Sequence, residues 1–261
     1  MSAELLAVVE GSPRAVAAHD RAAWVGLFAG DARVEDPVGA RAHVGVAAIG
    51  RFYDTFIGPN DIAFRVEHDV VCGTTVYRDL DVETTMSTGV RLRVPMHLRY
   101  DLEPVGDSWK IGALHAHWEL PVMVGQLLAA GGRGLAAAAR LGPQLLGNQG
   151  IGGALGFCRG FVRVGAGGKR LVTGMMEAAG RGDAAVVRPV LASSAVVEWP
   201  AGTPLGVAEF VARARGLAVG KTIAAGRFVT LSVQTPGSRG IAEVRVAPGG
   251  RQISAVRVFL A

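Results

Sequence analysis

The stretch Ala29-Gly30-Asp31-Ala32-Arg33-Val34-Glu35-Asp36-Pro37-Val38-Gly39 decides the fold, because most of its pattern returns later in the chain. Its first nine residues lie without a gap over Ala192-Ser193-Ser194-Ala195-Val196-Val197-Glu198-Trp199-Pro200, and the same offset sets Asp20 over Asp183. After a shift of two residues, Gly45-Val46-Ala47 meets Gly206-Val207-Ala208. The closing strand Ile111–His117 answers to Ile253–Phe259. A repeated order of helix, turn, helix and strands points to a duplicated domain.

Outward from the first copy, Ala32–Glu35 reads as a short strand ended by the turn Asp36-Pro37-Val38-Gly39. Upstream, Pro13–Leu27 reads as a helix with Val16, Ala17, Trp24 and Leu27 as packing positions. Downstream, Val46–Phe56 reads as a second helix, apolar at Ile49, Phe52, Tyr53 and Phe56, and Pro59-Asn60-Asp61 breaks the chain. Strands are expected at about 62–71, 74–86, 90–102 and 108–118. Helices followed by an antiparallel meander define an α+β plan. Three segments result: a first domain over 1–120, a Gly/Ala/Leu-rich basic helical connector over 121–168, and a shorter copy of the domain over 169–261. The connector holds 14 of the 37 glycines, which argues against a conventional core there. Its expected helices are Val122–Leu141 and Ile151–Val164.

Half of the 261 residues are hydrophobic, enough to offset chain entropy and exclude general disorder. The net charge of +5 is local. Between Glu119 and Glu177 no acid occurs, whereas Arg133, Arg140, Arg159, Arg163, Lys169 and Arg170 do. Without these six, 21 basic residues face 22 acidic ones. Nucleic acid is not expected as a partner, since the basic residues lack aromatic companions beyond Phe157 and Phe161. An apolar stretch with only positive charge suits weak contact with an anionic membrane surface through 122–170, the plainer reading being a packed connector. Cys72 and Cys158 fit no metal spacing and no disulfide framework, as expected in a reducing cytoplasm. Met1–Gly11 carries Glu4 and Glu10 without a basic region, unlike a signal peptide. Leu141–Cys158, uncharged but rich in glycine, is poor spanning material.

Leu27–Gly39, with Gly45-Val46-Ala47-Ala48-Ile49 and Phe52-Tyr53, resembles bacterial ketosteroid isomerases, within the superfamily of nuclear transport factor 2 and the SnoaL-like polyketide cyclases. The resemblance covers about 1–120 and extends to 169–261 through the internal repeat. It implies two cone-shaped domains, each a curved antiparallel sheet wrapped by helices around a deep apolar pocket. Such cones would pair as an intramolecular pseudo-dimer or a homodimer. It further implies that Asp36 is a general base for moving a proton next to a carbonyl, on a hydrophobic steroid- or polyketide-like molecule. A carboxylate beside an apolar substrate has a raised pKa and suits that task. Ser12 stands where the family has its oxyanion-stabilising tyrosine. His97 replaces the second donor, and Tyr53 matches a supporting tyrosine that could serve instead. Leu114, Ala116, Trp118 and Phe52 would bind substrate, with neither cofactor nor metal. The alternative is a non-catalytic carrier for a lipid or steroid-like ligand. Epoxide hydrolysis, a third option, needs a second polar group beside Asp36.

Strand alternation puts Leu114, Ala116 and Trp118 on one face and His115 and His117 on the other. Asp79, Asp81 and Glu83 share a face opposite Arg91 and Arg93, as in cross-strand ion pairs on a solvated surface. A regular strand makes Met96, Leu98 and Tyr100 core and leaves His97 outside; a bulge at Pro95 turns His97 and Arg99 inward. In the second copy Trp199 holds the place of Asp36, and no His or Tyr follows residue 168, so that copy reads as non-catalytic.

Overall fold

The structure is a computed structural model that describes residues 1–260. It divides into two compact units, Met1–Glu67 with Thr74–Val162, and His68–Gly73 with Arg163 onward.

In the first unit, α1 (Ser2–Ala17) buries Leu5, Val9 and Val16 along one stripe. The helix expected over 13–27 is in fact two, because the chain turns at His19 (φ 50°). Asp20 then caps α2 (Arg21–Gly26), its carboxylate accepting the Ala23 N–H at 2.8 Å. β1 (Phe28–Glu35), β2 (His43–Val44) and α3 (Val46–Phe52) follow, and α3 runs into one wide π turn, Tyr53–Ile57. The meander is β3 (Asp61–Cys72), β4 (Thr75–Thr85), β5 (Arg91–Val105) and β6 (Ser108–His117). Sheet order is β2-β1-β6-β5-β4-β3, with β1 parallel to β6.

β5 stays in unbroken register with β4 through Pro95, pairing Leu80 with Met96 and Asp79 with His97. β6 pairs with β5 only from His97 onward, so the N–H that Pro95 lacks has no ladder partner on that side. The irregularity falls at Asp101/Leu102 instead. The expected solvated acidic face is also different: Asp79 and Asp81 are buried. Arg93 holds Asp81 at 2.6 Å, while Glu83 turns to Arg65 of β3 at 3.0 Å.

α4 (Leu120–Ala129) and α5 (Gly132–Cys158) are joined by a turn at Gly131 (φ 61°). The stretch read as a connector therefore falls within the first unit as far as Val162. α5 does not stop at Gly142-Pro143 but breaks at Gly150, where φ is 66°. Pro143 is exposed, so water can satisfy the carbonyl it leaves without a partner. The side chains of Arg140 and Leu141 lie outside the described residues.

The second unit contains α6 (Gly165–Gly180), α7 (Ala184–Val190), β7 (Leu191–Glu198), α8 (Val207–Arg213), β8 (Ala218–Ala225), β9 (Phe228–Gln234), β10 (Arg239–Val246) and β11 (Ile253–Leu260). Its order, β7-β11-β10-β9-β8, repeats the first sheet without β2. The parallel pair keeps the same register. Phe28↔Ile111 and Arg33↔Ala113 become Leu191↔Ile253 and Val196↔Ala255, with the irregularity between the same two pairs. Asp183 caps α7 through Ala185 and Val186, as Asp20 caps α2. Both Asp36-Pro37 and Trp199-Pro200 are cis. The chain is thus α+β, two cones on one plan. In the second, Trp199 is buried in the core with its ring 6.0 Å from Phe210.

Candidate active site

A cavity of about 170 Å³ lies inside the first cone. The sheet supplies Leu92, Val94, Met96 and Leu98 from β5 and Leu114 from β6; the helices supply Val16, Trp24, Phe52 and Phe56. Met123 and Leu127 of α4 and Phe157 of α5 close it. Phe157 stacks on Phe56 with centroids 5.4 Å apart and planes at 24°.

Asp36 is the one charged side chain among the described lining residues. Its position follows from alternation at the end of β1. Val34, opposite Leu114, points inward, and Glu35, opposite His115, bonds that outward histidine, so Asp36 turns in again. The turn is pinned by the Val38 N–H, which donates to the Ala116 carbonyl at 2.9 Å. Trp118 donates its indole N–H to Asp36 Oδ1 at 2.5 Å. The surrounding apolar wall disfavours the charged carboxylate and pushes Asp36 up to about 6; the Trp118 hydrogen bond restrains that rise. Indole can only donate. Trp118 can therefore hold the carboxylate but cannot accept a proton from water, as epoxide hydrolysis would require of a group beside Asp36.

Of the other sequence candidates, Phe52, Leu114 and Trp118 line the cavity. Ala116 is fully buried and outside the lining. Tyr53 is buried but also outside the lining; its ring packs 5.6 Å from Trp24 and its hydroxyl has no hydrogen-bond partner. The π turn gives the cavity face to Phe52 and Phe56 instead. His97 requires a correction. With no bulge at Pro95 it points away from the cavity, fully buried, 3.4 Å from Asp79 and opposite His117 in register. Met96 and Leu98 take the inward places, so His97 cannot stabilise an oxyanion there. Ser12 does line the cavity, accepting the Trp24 indole N–H at 3.1 Å.

Two features leave little trace in the sequence. The roof from α4 and α5 was hidden in a segment whose glycine content reads as a linker. Its available signal was Met123 and Leu127, one helical turn apart. The Trp118–Asp36 bond joins residues 82 positions apart and has no local signature.

On the outer face, His115 sits between Glu35 (3.3 Å) and Asp101 (3.6 Å). Burial opposes its charge, but the bonds to Asp101 and Glu35 prevail and raise it to about 9. Among the described residues no group of three or more His, Cys, Asp or Glu side chains is placed to hold a metal ion. No helix of the described residues is long and apolar enough to cross a membrane.

Residues 9–107 match the family model described as a SnoaL-like domain, and the first cone belongs to that family. The fold is that of the nuclear transport factor 2-like superfamily. Similar solved structures include the Δ5-3-ketosteroid isomerase from Mycobacterium sp., 31% identical over 46% of this chain and 96% of that one, with a TM-score of 0.43. RV0760c from Mycobacterium tuberculosis is 25% identical over 47% of this chain and 96% of its own, TM-score 0.43. A computationally designed 17-OHP binder is 23% identical over 46% and 95%, TM-score 0.42. No curated protein matches the chain.

Proposed function

We propose that the first cone is an isomerase-like enzyme that moves a proton next to a carbonyl on a hydrophobic steroid- or polyketide-like molecule, with Asp36 as the base. The observation that carries this reading is a single carboxylate, raised to about 6, in an otherwise apolar cavity. Such a group is ionised at neutral pH yet more basic than an ordinary aspartate, which suits abstraction from carbon. Asp36 takes the proton from the carbon beside the carbonyl, and the C–H electrons pass into the enolate. The carboxylic acid then returns the proton to another carbon of the conjugated system. Trp118 keeps the carboxylate aimed throughout. Ser12 accepts from Trp24, so its own hydroxyl hydrogen remains to donate to the enolate oxygen.

With His97 and Tyr53, the expected oxyanion donors, outside the cavity, Ser12 works alone. Each missing donor lowers the rate by about 10²–10³. That shortage favours the second reading, a carrier for a lipid or steroid-like ligand. Turnover of a Δ5-3-ketosteroid, followed by absorbance of the conjugated product, separates the two. Asp36-dependent turnover, lost in Asp36→Asn, is expected; tight binding with no turnover by the native protein would leave the carrier.

The common register of the two sheets supports a duplication in which the second cone lost the base. The outward faces of α4 and α5 expose Leu128, Leu135 and Leu155 near Arg133 and Arg159, which favours weak contact with anionic lipid. Flotation with anionic vesicles that survives Arg133→Gln/Arg159→Gln unchanged would refute that contact. Cys72 and Cys158 are free thiols, in accord with a reducing, cytoplasmic setting.

A further inference from the structure

Beside the apolar cavity lies a second hollow of about 410 Å³, and the two share Asp36, Phe56 and Phe157 as a common wall. Its other side carries Arg41, His43 and Arg51. Elsewhere on this cone four exposed arginines face acids, Arg21 with Asp54, Arg33 with Glu35, Arg65 with Glu83 and Arg93 with Asp81, while Arg14 and Arg91 do not among the described residues. Arg41 and Arg51 form no ion pair among the described residues, and both residues line the same hollow.

Arg41 is also seated there. Its N–H donates to the Gly156 carbonyl of α5 at 3.1 Å. Its side chain lies across two positions of α5 that have no side chain of their own. A Cβ at Gly156 would stand 2.6 Å from Arg41 Cβ, and one at Gly152 would stand 3.2 Å from Nη1. His43 feels both cations; burial first, then Arg51 and Arg41, lower its pKa. It is therefore neutral at pH 7, and the charged lining of the hollow is Arg41 and Arg51 with Asp36 on the shared wall, two cations against one carboxylate.

We infer that this hollow holds the anionic group of an amphipathic ligand whose apolar body occupies the neighbouring cavity. The inference rests on the cavity being the ligand site, and it narrows the ligand class to hydrophobic molecules carrying a carboxylate, sulfonate or phosphate. Guanidinium forks match the paired oxygens of such groups. A cavity of about 170 Å³ compares with one that admits a single ring of benzene size. A longer ligand must extend into an adjoining hollow; the one reached past Val16, Ile62, Thr84 and Leu92 carries Asp61 and Glu83 as well as arginines, whereas the one reached past Phe157 offers Arg41 and Arg51 to an anion. Anchored there, it presents a fixed stretch of its body to Asp36.

Two dyes with the same aromatic body test this: anionic 8-anilinonaphthalene-1-sulfonate and neutral N-phenyl-1-naphthylamine, titrated by fluorescence. The sulfonate should bind about tenfold more tightly at low ionic strength, and the advantage should shrink in high salt. It should displace the neutral dye. Arg41→Gln/Arg51→Gln should abolish the preference and leave the neutral dye's affinity unchanged; both residues are exposed, so folding is spared. Equal affinities in the native protein, equal weakening of both dyes by the double variant, or simultaneous binding of both would overturn the inference. Failure of the neutral dye to bind at all would instead remove the cavity as a ligand site, and this inference with it.

Discussion

Replacing Asp36 by Asn should make the first cone more stable at neutral pH, because it removes a charge that the fold holds at a cost. The carboxyl titrates at about 6 in the folded chain, against 3.8 for an ordinary solvated aspartate. Between those pH values the folded chain binds the proton and the unfolded chain does not, so stability falls as pH rises through that window. Above 6 the full difference is felt, at most about 3 kcal/mol. The net gain from the substitution is smaller, about 2 kcal/mol, since Trp118 then donates to a neutral amide rather than a carboxylate. Urea unfolding followed by tryptophan fluorescence at pH 4 and pH 8 measures this. The variant should match the native protein at the lower pH and exceed it at the higher. The Trp118 indole N–H provides a second readout by NMR: its resonance should titrate with a midpoint near 6 in the native protein and stay flat in the variant. A native midpoint near 4, with no stability gain at pH 8, would refute the account of Asp36 as a desolvated base.

Trp118→Phe keeps an aromatic wall but removes the hydrogen bond that restrains Asp36, so the Asp36 titration should move above 6. A carboxyl-carbon NMR titration checks the direction, and any turnover should lose its acid limb at a correspondingly higher pH. His115→Gln removes a cation from between Glu35 and Asp101. A histidine raised from 6.5 to about 9 contributes stability that is complete below 6.5 and lost as pH rises through 9. The variant should therefore be weaker by about 2 kcal/mol at pH 6 and nearly equal to the native protein at pH 10, by denaturant titration.

What could be read in advance was whatever depended on short-range pattern. The turn after β1 is fixed by a few residues, the place of Asp36 in the pocket followed from the family resemblance, and the repeat shows in the offset between Asp20 and Asp183. The placements that shifted hang on a single residue of phase. An extra residue in the π turn at Tyr53 moves that side chain off the cavity, and a bulge that does not form at Pro95 leaves His97 on the outer face. Nothing local distinguishes a proline that bends a strand from one that ends beside an unpaired edge. The division of α1 from α2 was legible in principle, since Asp20 three residues before Ala23 is a helix-start signal. The roof over the cavity was not, because glycine-rich helices gain their place from packing rather than from propensity.

The exchange of Asp36 for Trp199 has a consequence for how the chain melts. A void of about 170 Å³ costs roughly 4 kcal/mol at about 24 cal/mol per Å³ of empty apolar space. In the second cone an indole stands where the first has a carboxylate, and it is buried among core side chains. The first half of the chain thus carries a hole and an unpaired desolvated carboxylate, while in the second the corresponding place is filled and its buried Glu243 has Arg257 at 3.7 Å. The first should be the more labile to heat, and a ligand that fills its hole should raise the earlier transition while leaving the later one in place.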